Sequence, residues 1–424
     1  MNWKLGVILA FFINSSFILC SSTPEEDELK LVIEVCRHGT RDLLYPQYKV
    51  SSQTDLKGTG ELTLVGIRQQ YILGLELQNR YIHKHKLLSP SYNQHEISIQ
   101  STDSSRSIIS ARAQSLGLYP DTSPVLTLSS QAKAVPPIHI HNLEQIQASL
   151  LDSPLPYYLD PVPIHYQMDT MDLLLKAREH CSYIKHKMSQ ARSTEFVLQK
   201  EEFYKKELYP KLEQILNIAQ EEFNVVKASD VYDTILCVVG NGYALHEGFD
   251  KSTLEMLVDA YYVNHYDVFY PDEKCARLAN HFLFKEVLRY VREAFFDDVQ
   301  DKESRLRKKF VLFSGHDTNV IPILIQFGIY YDIVPFSSNV IFHLFKKADS
   351  FGKAPVDLEM RDFYVEVKYN DKTLQMESED KLDLDRFLAF LESKLYKEDF
   401  HQACFEDVQN EPQFGSPKIE LADD

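Results

Sequence analysis

The chain contains, at residues 31–41, the stretch Leu-Val-Ile-Glu-Val-Cys-Arg-His-Gly-Thr-Arg. Its first six residues are an apolar run with a single glutamate, which predicts a buried strand. Arg37 and His38 stand at the end of this strand, and Gly39 and Arg41 follow. The set brings a potential nucleophile, two cations and a permissive backbone position to one point, a combination that fits a phosphate group. A single pentapeptide is weak evidence, so other segments must complete such a pocket.

The segments that follow predict an α/β fold. Residues 61–81 carry apolar side chains at three- and four-residue steps, which predicts a helix. Residues 95–99 alternate as a strand does, a polar loop with Arg106 follows, and residues 108–118 predict a second helix. This order is typical of an α/β fold with a mostly parallel central sheet flanked by helices, which binds ligands at the carboxyl ends of its strands. The apolar positions of the first helix are Leu64, Ile67, Tyr71 and Leu75.

A long insertion separates these elements from the next clear strand. That strand covers residues 310–313, and His316 and Asp317 come shortly after it. About two hundred residues separate it from the strand at residues 95–99, far more than a loop needs, so we expect an inserted subdomain before the His-Asp strand. Its sequence favours helices, although residues 235–239 are an apolar run that fits a strand or a helix equally well. Later strands are predicted at residues 340–345 and 363–369. The predicted division is a signal peptide at 1–22, an α/β catalytic core at 23–140 and 300–405, a mainly helical cap at 141–299 and a loose polar tail at 406–424.

Charge and hydropathy limit the partners and the location. The 424 residues include 45 Lys and Arg against 62 Asp and Glu, a net charge of −17. Nucleic acids and anionic membranes are bound by clustered Lys and Arg, so neither is an expected partner.

Residues 1–22 have an early lysine, an apolar stretch and small residues at the end, which predicts a cleaved secretory signal. No later apolar run is long enough to span a bilayer. We expect a soluble protein of the secretory pathway, lysosomal or extracellular, without a stable membrane anchor and either monomeric or homodimeric.

Three predicted strand ends offer side chains suited to phosphoryl transfer. The reaction needs in-line attack and neutralisation of charge on the phosphoryl oxygens, which arginine can bind two at a time. A neutral imidazole accepts a phosphoryl group when its other nitrogen donates to a fixed acceptor, so His38 is the predicted nucleophile. A carboxyl beside a bound phosphate has a raised pKa and can donate, so Asp317 is the predicted proton donor and an acid pH optimum is expected. The side chains predicted to bind phosphate are Arg37, Arg41, Arg106 and His316.

Each of these residues has a simpler explanation when it is taken singly. A histidine at a strand end is more often a structural hydrogen-bonding group than a catalyst. Arg106 alone is typical of a salt-bridge partner. Their joint occurrence at three predicted strand ends favours a site.

Five motifs carry a family resemblance, and they follow one another along the chain: Arg37-His38-Gly39-Thr40-Arg41; Gly60-Glu61-Leu62-Thr63 with Gly66 and the helix from Leu73-Gly74 to Arg80-Tyr81; Ser101-Thr102-Asp103 with Arg106 and Ser110; Gly117-Leu118-Tyr119-Pro120; and Ser314-Gly315-His316-Asp317. This ordered series, between about residues 31 and 404, resembles the histidine acid phosphatases, the branch of the histidine phosphatase superfamily that includes lysosomal and prostatic-type enzymes. The resemblance implies an α/β core with a helical cap, a phosphohistidine intermediate on His38, proton donation by Asp317, and neither metal nor organic cofactor. It implies phosphate binding by Arg37, Arg41, Arg106 and His316.

The chain departs from the family pattern after the first motif. The family often has a proline two residues after the second arginine, whereas this chain has Leu43 there and its proline at Pro46. The catalytic set itself is intact.

The cysteines predict one disulfide and at least one free thiol. Removal of the signal takes Cys20 from the six and leaves five, an odd number, and Cys36 in the first strand is the candidate free thiol. The resemblance implies a disulfide between Cys181 and Cys404. It also matches Cys237 to a half-cystine of the family, but the partner's region reads Ser338-Asn339, so that bridge is expected to be absent and a pairing of Cys237 with Cys275 is the alternative guess.

The predicted function is hydrolysis of phosphate monoesters by an acid phosphatase. One alternative is a phytase acting on inositol polyphosphates, although phytases more often resemble His-Ala-Glu where this chain has His316-Asp317-Thr318. Another is a catalytically silent, secreted phosphate-binding protein on the same scaffold. No metal site is predicted, because the only metal-like spacings lack accompanying ligands. These spacings are His83-Lys84-His85 and His139-Ile140-His141.

Overall fold

The apolar run at residues 31–36 lies in an inner strand of an eight-stranded sheet. The structure, a computed structural model, describes residues 26–120, 125–131, 133–159, 161–300 and 307–406. The predicted signal peptide, and the predicted tail from residue 407 onward, lie outside the described residues. The strands are β1 Glu28–Arg37, β2 Ile97–Ser101, β3 His165–Tyr166, β4 Phe310–Gly315, β5 Asn339–Lys346, β6 Phe363–Tyr369, β7 Lys372–Thr373 and β8 Lys381–Asp383.

The sheet is mixed. Its order is β3-β2-β4-β1-β5-β6-β7, with β8 paired to β6. The four strands β3, β2, β4 and β1 are parallel, and the later strands continue the sheet in antiparallel pairs from β5 onward. The parallel half contains the strand ends singled out in the sequence. Because the carboxyl ends of parallel strands meet at one edge, this half brings the predicted site residues together.

Helices cover both faces of this sheet. The insertion between β2 and β4 is mostly helical and also contains strand β3. Residues 235–239, compatible with either a strand or a helix in sequence, are helical. The helices are α1 Leu64–Gln78, α2 Ser105–Leu118, α3 Leu128–Gln131, α4 Leu143–Leu150, α5 Ala177–His180, α6 Ser182–Ala191, α7 Glu195–Glu207, α8 Tyr209–Leu216, α9 Val225–Gly240, α10 Lys251–Tyr262, α11 Glu273–Ala279, α12 His281–Val299, α13 Asp317–Gln326 and α14 Leu384–Lys394.

The insertion divides between two hydrophobic clusters. Helices α11 and α12 pack in the same cluster as the apolar side chains of β1 and β4. Helices α7 to α10 form a second cluster together with residues 43–50, which follow β1. We call α7 to α10 the cap helices. The bounds predicted for the cap domain, residues 141–299, stay a prediction.

Helix α1 is buried mainly through small and polar residues, together with Leu77, rather than through the apolar positions that predict the helix. Leu64 is 85 % exposed, and the buried residues of the helix are Gly66, Gln70, Gly74 and Leu77. Gly74 faces Gly117 of α2, and a Cβ on Gly117 would lie 2.1 Å from the Tyr71 carbonyl oxygen. The two helices therefore pack backbone to backbone, which explains why the apolar pattern predicts the helix but not its buried face.

Substitution of Gly117 by alanine is expected to lower the free energy of unfolding by about 2–3 kcal/mol, because the added Cβ forces α1 and α2 apart. Chemical denaturation of the two proteins measures the difference. Gly242 supplies the control, since a Cβ there meets nothing within 4 Å and only its φ of +87° is unfavourable. Gly242→Ala is expected to cost about 1 kcal/mol. Equal losses in the two variants would contradict the packing argument.

The cysteines follow the predictions in part. Cys181, between α5 and α6, is bonded to Cys404, as the resemblance implies. Cys36 is free and buried, as expected for a thiol in an inner strand. The guessed pairing of Cys237 with Cys275 is wrong, because both thiols are free and they lie in different hydrophobic clusters.

Within the described part of the chain, no helix combines the length and the apolar character that crossing a membrane requires.

Candidate active site

The carboxyl ends of three parallel strands meet at one cavity of about 260 Å³. Arg37 at the end of β1 is in register with Gly315 of β4, and the rings of the following residues, His38 and His316, have centroids 5.4 Å apart. From the end of β2, Thr102 places its Oγ1 3.0 Å from Nε2 of His316. The cavity is lined by every residue that the sequence predicted to bind phosphate or react with it, namely Arg37, His38, Arg41, Arg106, His316 and Asp317.

His38 is held as a neutral imidazole with one nitrogen free to react. Its Nδ1 lies 2.7 Å from the Gly39 carbonyl oxygen, and since a carbonyl can only accept, Nδ1 carries the proton and donates. Nε2 accepts from Nε of Arg106 at 3.2 Å and is therefore unprotonated. Burial, followed by the charges of His316, Arg37 and Arg106, holds the pKa of His38 well below its usual range.

A close backbone contact fixes the loop that carries His38. A Cβ on Gly39 would lie 2.4 Å from the carbonyl oxygen of Gly66 in α1, so only glycine fits. The Gly39 amide donates to the hydroxyl of Ser110 in α2 at 3.1 Å. Two helices thus define the position of the loop.

The segment after Arg41 is ordered without a proline at residue 43. The carboxylate of Asp42 accepts from the backbone amides of Leu43, Lys57 and Thr59, and these bonds outweigh burial and lower the pKa of Asp42. Pro46 packs against Gly58, whose φ is +83°. The shifted proline therefore belongs to a loop that Asp42 organises.

Arg37 connects the site to the loop that precedes β5. Its NH2 lies 2.8 Å from Oδ2 of Asp317, and its NH1 donates to the carbonyl oxygen of Val334. The guanidinium carbon lies 4.3 Å from the ring centroid of Phe336, whose ring also lies 5.7 Å from that of His38. Arg37 is buried. Its contacts fix both the guanidinium and the carboxylate beside it.

Asp317 is the first residue of α13, directly after the N-cap His316. Burial opposes ionisation of this carboxyl, but Arg37, together with His265 and His316, outweighs burial and holds the pKa of Asp317 well below its usual range. The carboxyl is therefore ionised when the cavity holds no anion. A bound phosphate would compete for the same guanidinium groups and add negative charge, and both effects raise the pKa of a carboxyl.

Arg41 is held by a residue that the sequence did not single out. Its NH2 lies 2.8 Å and 2.7 Å from the two carboxylate oxygens of Asp233, on cap helix α9. Its NH1 lies 3.0 Å from the Asp42 carbonyl oxygen and 3.1 Å from the sulfur of Cys237. The cap therefore positions one of the predicted phosphate ligands.

The rest of the cavity wall comes mostly from the insertion and was not predicted. His265 lies in a π-helical turn at Val263–Val268 that extends α10; it stacks on Tyr261 with centroids 3.8 Å apart. One signal was available in the sequence, because Asp230 and Asp233 are the two acids of the otherwise largely apolar α9 and stand three residues apart, on one face. The charged lining residues outside the predicted set are Lys176, Arg178, Glu179, Asp230 and Asp233.

Among the residues that the structure describes, no three His, Cys, Asp or Glu side chains are grouped as metal ligands would be. His139 and His141 are close, with ring centroids 4.8 Å apart, but no third ligand joins them in the described ranges.

Comparison with known sequences gives a consistent set of relatives. The family model described as histidine phosphatase superfamily (branch 2) matches residues 44–370. The lysosomal acid phosphatase of Xenopus laevis is 26 % identical over 352 residues, 81 % of this chain and 72 % of that protein. The prostatic acid phosphatase of Bos taurus is 24 % identical over 76 % of each chain. The human lysosomal acid phosphatase is 24 % identical over 85 % of this chain and 77 % of the relative.

Solved structures with a similar fold include bacterial phytases. The phytase of Klebsiella sp. ASR1 aligns with a TM-score of 0.59 at 13 % identity and covers 88 % of this chain and 97 % of its own. The Hafnia alvei phytase aligns with a TM-score of 0.59 at 14 % identity, over 88 % and 98 % of the two chains. At these identities the likeness concerns the fold alone.

Proposed function

We propose, from the premise that this chain belongs to branch 2 of the histidine phosphatase superfamily, that it hydrolyses phosphate monoesters through a phosphohistidine formed on His38. The chain is a histidine acid phosphatase, a phosphomonoester hydrolase. One observation carries the proposed mechanism. Nε2 of a neutral His38 faces the cavity while Nδ1 is fixed on the Gly39 carbonyl.

In the first step Nε2 of His38 attacks phosphorus, the P–N bond forms and the ester P–O bond breaks. Arg37, Arg41 and Arg106 surround the transferring group, and their guanidinium groups neutralise the charge on its oxygens. Because Nδ1 keeps its proton, attack makes the imidazole cationic, and the Gly39 carbonyl stabilises that charge.

The leaving oxygen needs a proton, which Asp317 donates. The carboxyl is ionised before substrate binds, so the proton must be taken up with the substrate. A phosphate between the arginines weakens the hold of Arg37 on the carboxylate and raises its pKa. In the second step water attacks the phosphohistidine, the P–N bond breaks, and Asp317 takes the proton of the water, so the enzyme returns to its starting state.

The fold is shared with phytases, but the charges in the cavity favour simple monoesters. Asp233 already occupies the guanidinium of Arg41, and Asp230 adds a further carboxylate to the same wall. A leaving group with several phosphates would be repelled by these carboxylates.

We propose further that the enzyme works in the secretory pathway, in the lysosome or outside the cell, as the names of its lysosomal relatives suggest.

Hydrolysis of propyl phosphate, whose alkoxide leaving group needs a proton, is expected to peak below about pH 6 and to persist with EDTA. On the acid side, the lowered pKa of His38 keeps the nucleophile neutral. On the alkaline side, Asp317 no longer takes up the proton that it must donate. The initial rate from pH 3 to pH 8, with and without EDTA, measures both expectations. A rate that climbs towards alkaline pH, or that EDTA removes, would contradict the proposal.

A further inference from the structure

All but two of the charged side chains that line the cavity form an ion pair with another described residue. No described Lys, Arg or His nitrogen lies within 4.0 Å of the carboxylate of Asp230, and no described carboxylate lies within that distance of Arg106. Lys176 is paired with Asp169 outside the cavity, at 2.8 Å. The pairs within it are Arg37 with Asp317, Arg41 with Asp233, and Arg178 with Glu179.

The two unpaired charges belong to different elements of the cavity wall, Arg106 to α2 and Asp230 to α9. Arg106 touches the reactive nitrogen of His38 and belongs to the end that receives phosphate. Asp230 is on cap helix α9, one turn before the Asp233 that holds Arg41. The cavity is therefore left with an uncompensated positive charge at the phosphate end and an uncompensated negative charge on the cap side.

The wall near Asp230 also contains a buried hydrogen-bond acceptor without a donor. The hydroxyl of Tyr45 lies near the Asp230 carboxylate and lowers its pKa, against the larger effect of burial. Asn264, in the π-helical turn, is 2 % exposed, and its Nδ2 is used on the hydroxyl of Ser229 at 3.2 Å. Its Oδ1 is buried and has no partner among the described residues. A buried acceptor without a donor is costly unless a ligand supplies one.

We propose that Asp230, supported by Asn264, forms a subsite for the leaving group that selects phosphate monoesters whose alcohol carries an ammonium group. The inference rests on the proposed function and adds a substrate class to it. Such a substrate is complementary to the cavity at both ends, with its phosphate at Arg106 and His38 and its ammonium at Asp230. The ammonium has donors for a carboxylate and for an amide oxygen. A leaving group that carries phosphates is repelled by the same carboxylate.

The test compares O-phosphoethanolamine with propyl phosphate, in which a methyl group replaces the ammonium. The alcohols differ in intrinsic reactivity, so the measured quantity is the ratio of their kcat/KM values in the wild type relative to that ratio in Asp230→Asn. Asparagine keeps the shape of the side chain and removes its charge. We expect the ratio to fall about tenfold in the variant, the effect of one partly exposed charge pair.

Glu213→Gln is the matched control, since Glu213 is an exposed residue of cap helix α8 outside the cavity. It removes the same charge from the cap but none from the proposed subsite, so the ratio is expected to stay unchanged. An equal fall in both variants would show a general charge effect and overturn the subsite.

A second measurement follows the same ratio with pH in the wild type and in Asp230→Asn. Burial raises the pKa of Asp230 to about 6, with a further contribution from Asp233 and opposite ones from Tyr45 and Lys227. The carboxylate is ionised above this pKa, so in the wild type the preference for the ammonium ester is expected to rise between about pH 5 and pH 7. The ammonium group lowers the second pKa of its own phosphate, so ionisation of the two esters does not cancel in the ratio. The rise caused by Asp230 is the part of the wild-type profile that is absent from Asp230→Asn. The titratable groups around Asp230 are Tyr45 and Tyr48 after β1, Lys227 and Asp233 on α9, Arg41, and His265 on the π-helical turn.

The outcomes separate this inference from the proposed function. Hydrolysis of p-nitrophenyl phosphate together with a ratio that is the same in the wild type and in Asp230→Asn at every pH would overturn the subsite and leave the phosphatase in place. Absence of hydrolysis of every ester by the folded wild type would overturn both.

Discussion

Replacement of His38 by alanine is expected to lower the turnover of p-nitrophenyl phosphate by about four orders of magnitude or more, the loss typical of a removed nucleophile. The reason is geometric. His316, the other imidazole at the strand ends, contacts the hydroxyl of Thr102 through Nε2 and Arg106 through Nδ1. Among the described residues neither of its nitrogens bonds a carbonyl that would fix its tautomer as the Gly39 carbonyl fixes that of His38, so we do not expect it to replace His38. The comparison is made at equal concentrations of folded protein, verified by circular dichroism.

A chemical trap makes the same prediction more specific. The wild type, mixed with a phosphate-labelled ester and denatured within a turnover, is expected to retain label that is stable to base and labile to acid, as a phosphohistidine is. His38→Ala is expected to retain none. His95→Ala removes a histidine outside the cavity, from the loop before β2, and should match the wild type in rate and label. Label on the His38 variant would assign the nucleophile to another residue.

The placement of the six predicted residues in one cavity follows from features that are local in sequence. Each of these residues stands at or just after the end of an apolar run, or in the first turn of the helix that follows, and parallel pairing brings such ends to one edge. The register of Arg37 with Gly315 then places His38 beside His316. The strand pattern was therefore almost sufficient to predict that these six residues lie together at one edge of the sheet.

The cap side of the site could not be predicted in the same way. The ion pair between Arg41 and Asp233 joins residues 192 positions apart, and the orientation of α9 that creates it depends on the packing of a separate hydrophobic cluster. The π-helical turn that places Asn264 and His265 in the wall has no period by which it could be recognised.

The buried face of α1 was hidden for a different reason. Hydrophobic periodicity identifies a buried face only where burial is by large apolar side chains. Here Gly66 and Gly74 allow backbone contact, and Gln70 donates to the carbonyl oxygen of Arg37 at 3.0 Å. Polar and small residues on this helix therefore support the loop that carries His38, while Leu64 and Leu75 remain exposed.

The substitution Asp317→Asn is expected to affect alkyl and aryl phosphates unequally. An alkoxide leaves only with a proton, so loss of the donor should lower kcat for propyl phosphate by about a thousandfold. The p-nitrophenolate ion leaves without one, so its ester should lose about tenfold or less. The two kcat values, each relative to the wild type, are measured at one acid pH.

The two-substrate design removes the main ambiguity of this variant. Asp317 also pairs with Arg37, at 2.8 Å, so its replacement disturbs a proposed phosphate ligand as well as removing the proposed proton donor. The phosphoryl group is the same in both esters, so any disturbance of Arg37 lowers both rates by a similar factor. Only proton transfer depends on the leaving oxygen. A large and equal loss on both esters would therefore reduce Asp317 to a residue that positions Arg37. The proton donor would then be another group of the cavity wall, and the first candidate is His265, whose charge acts on Asp317.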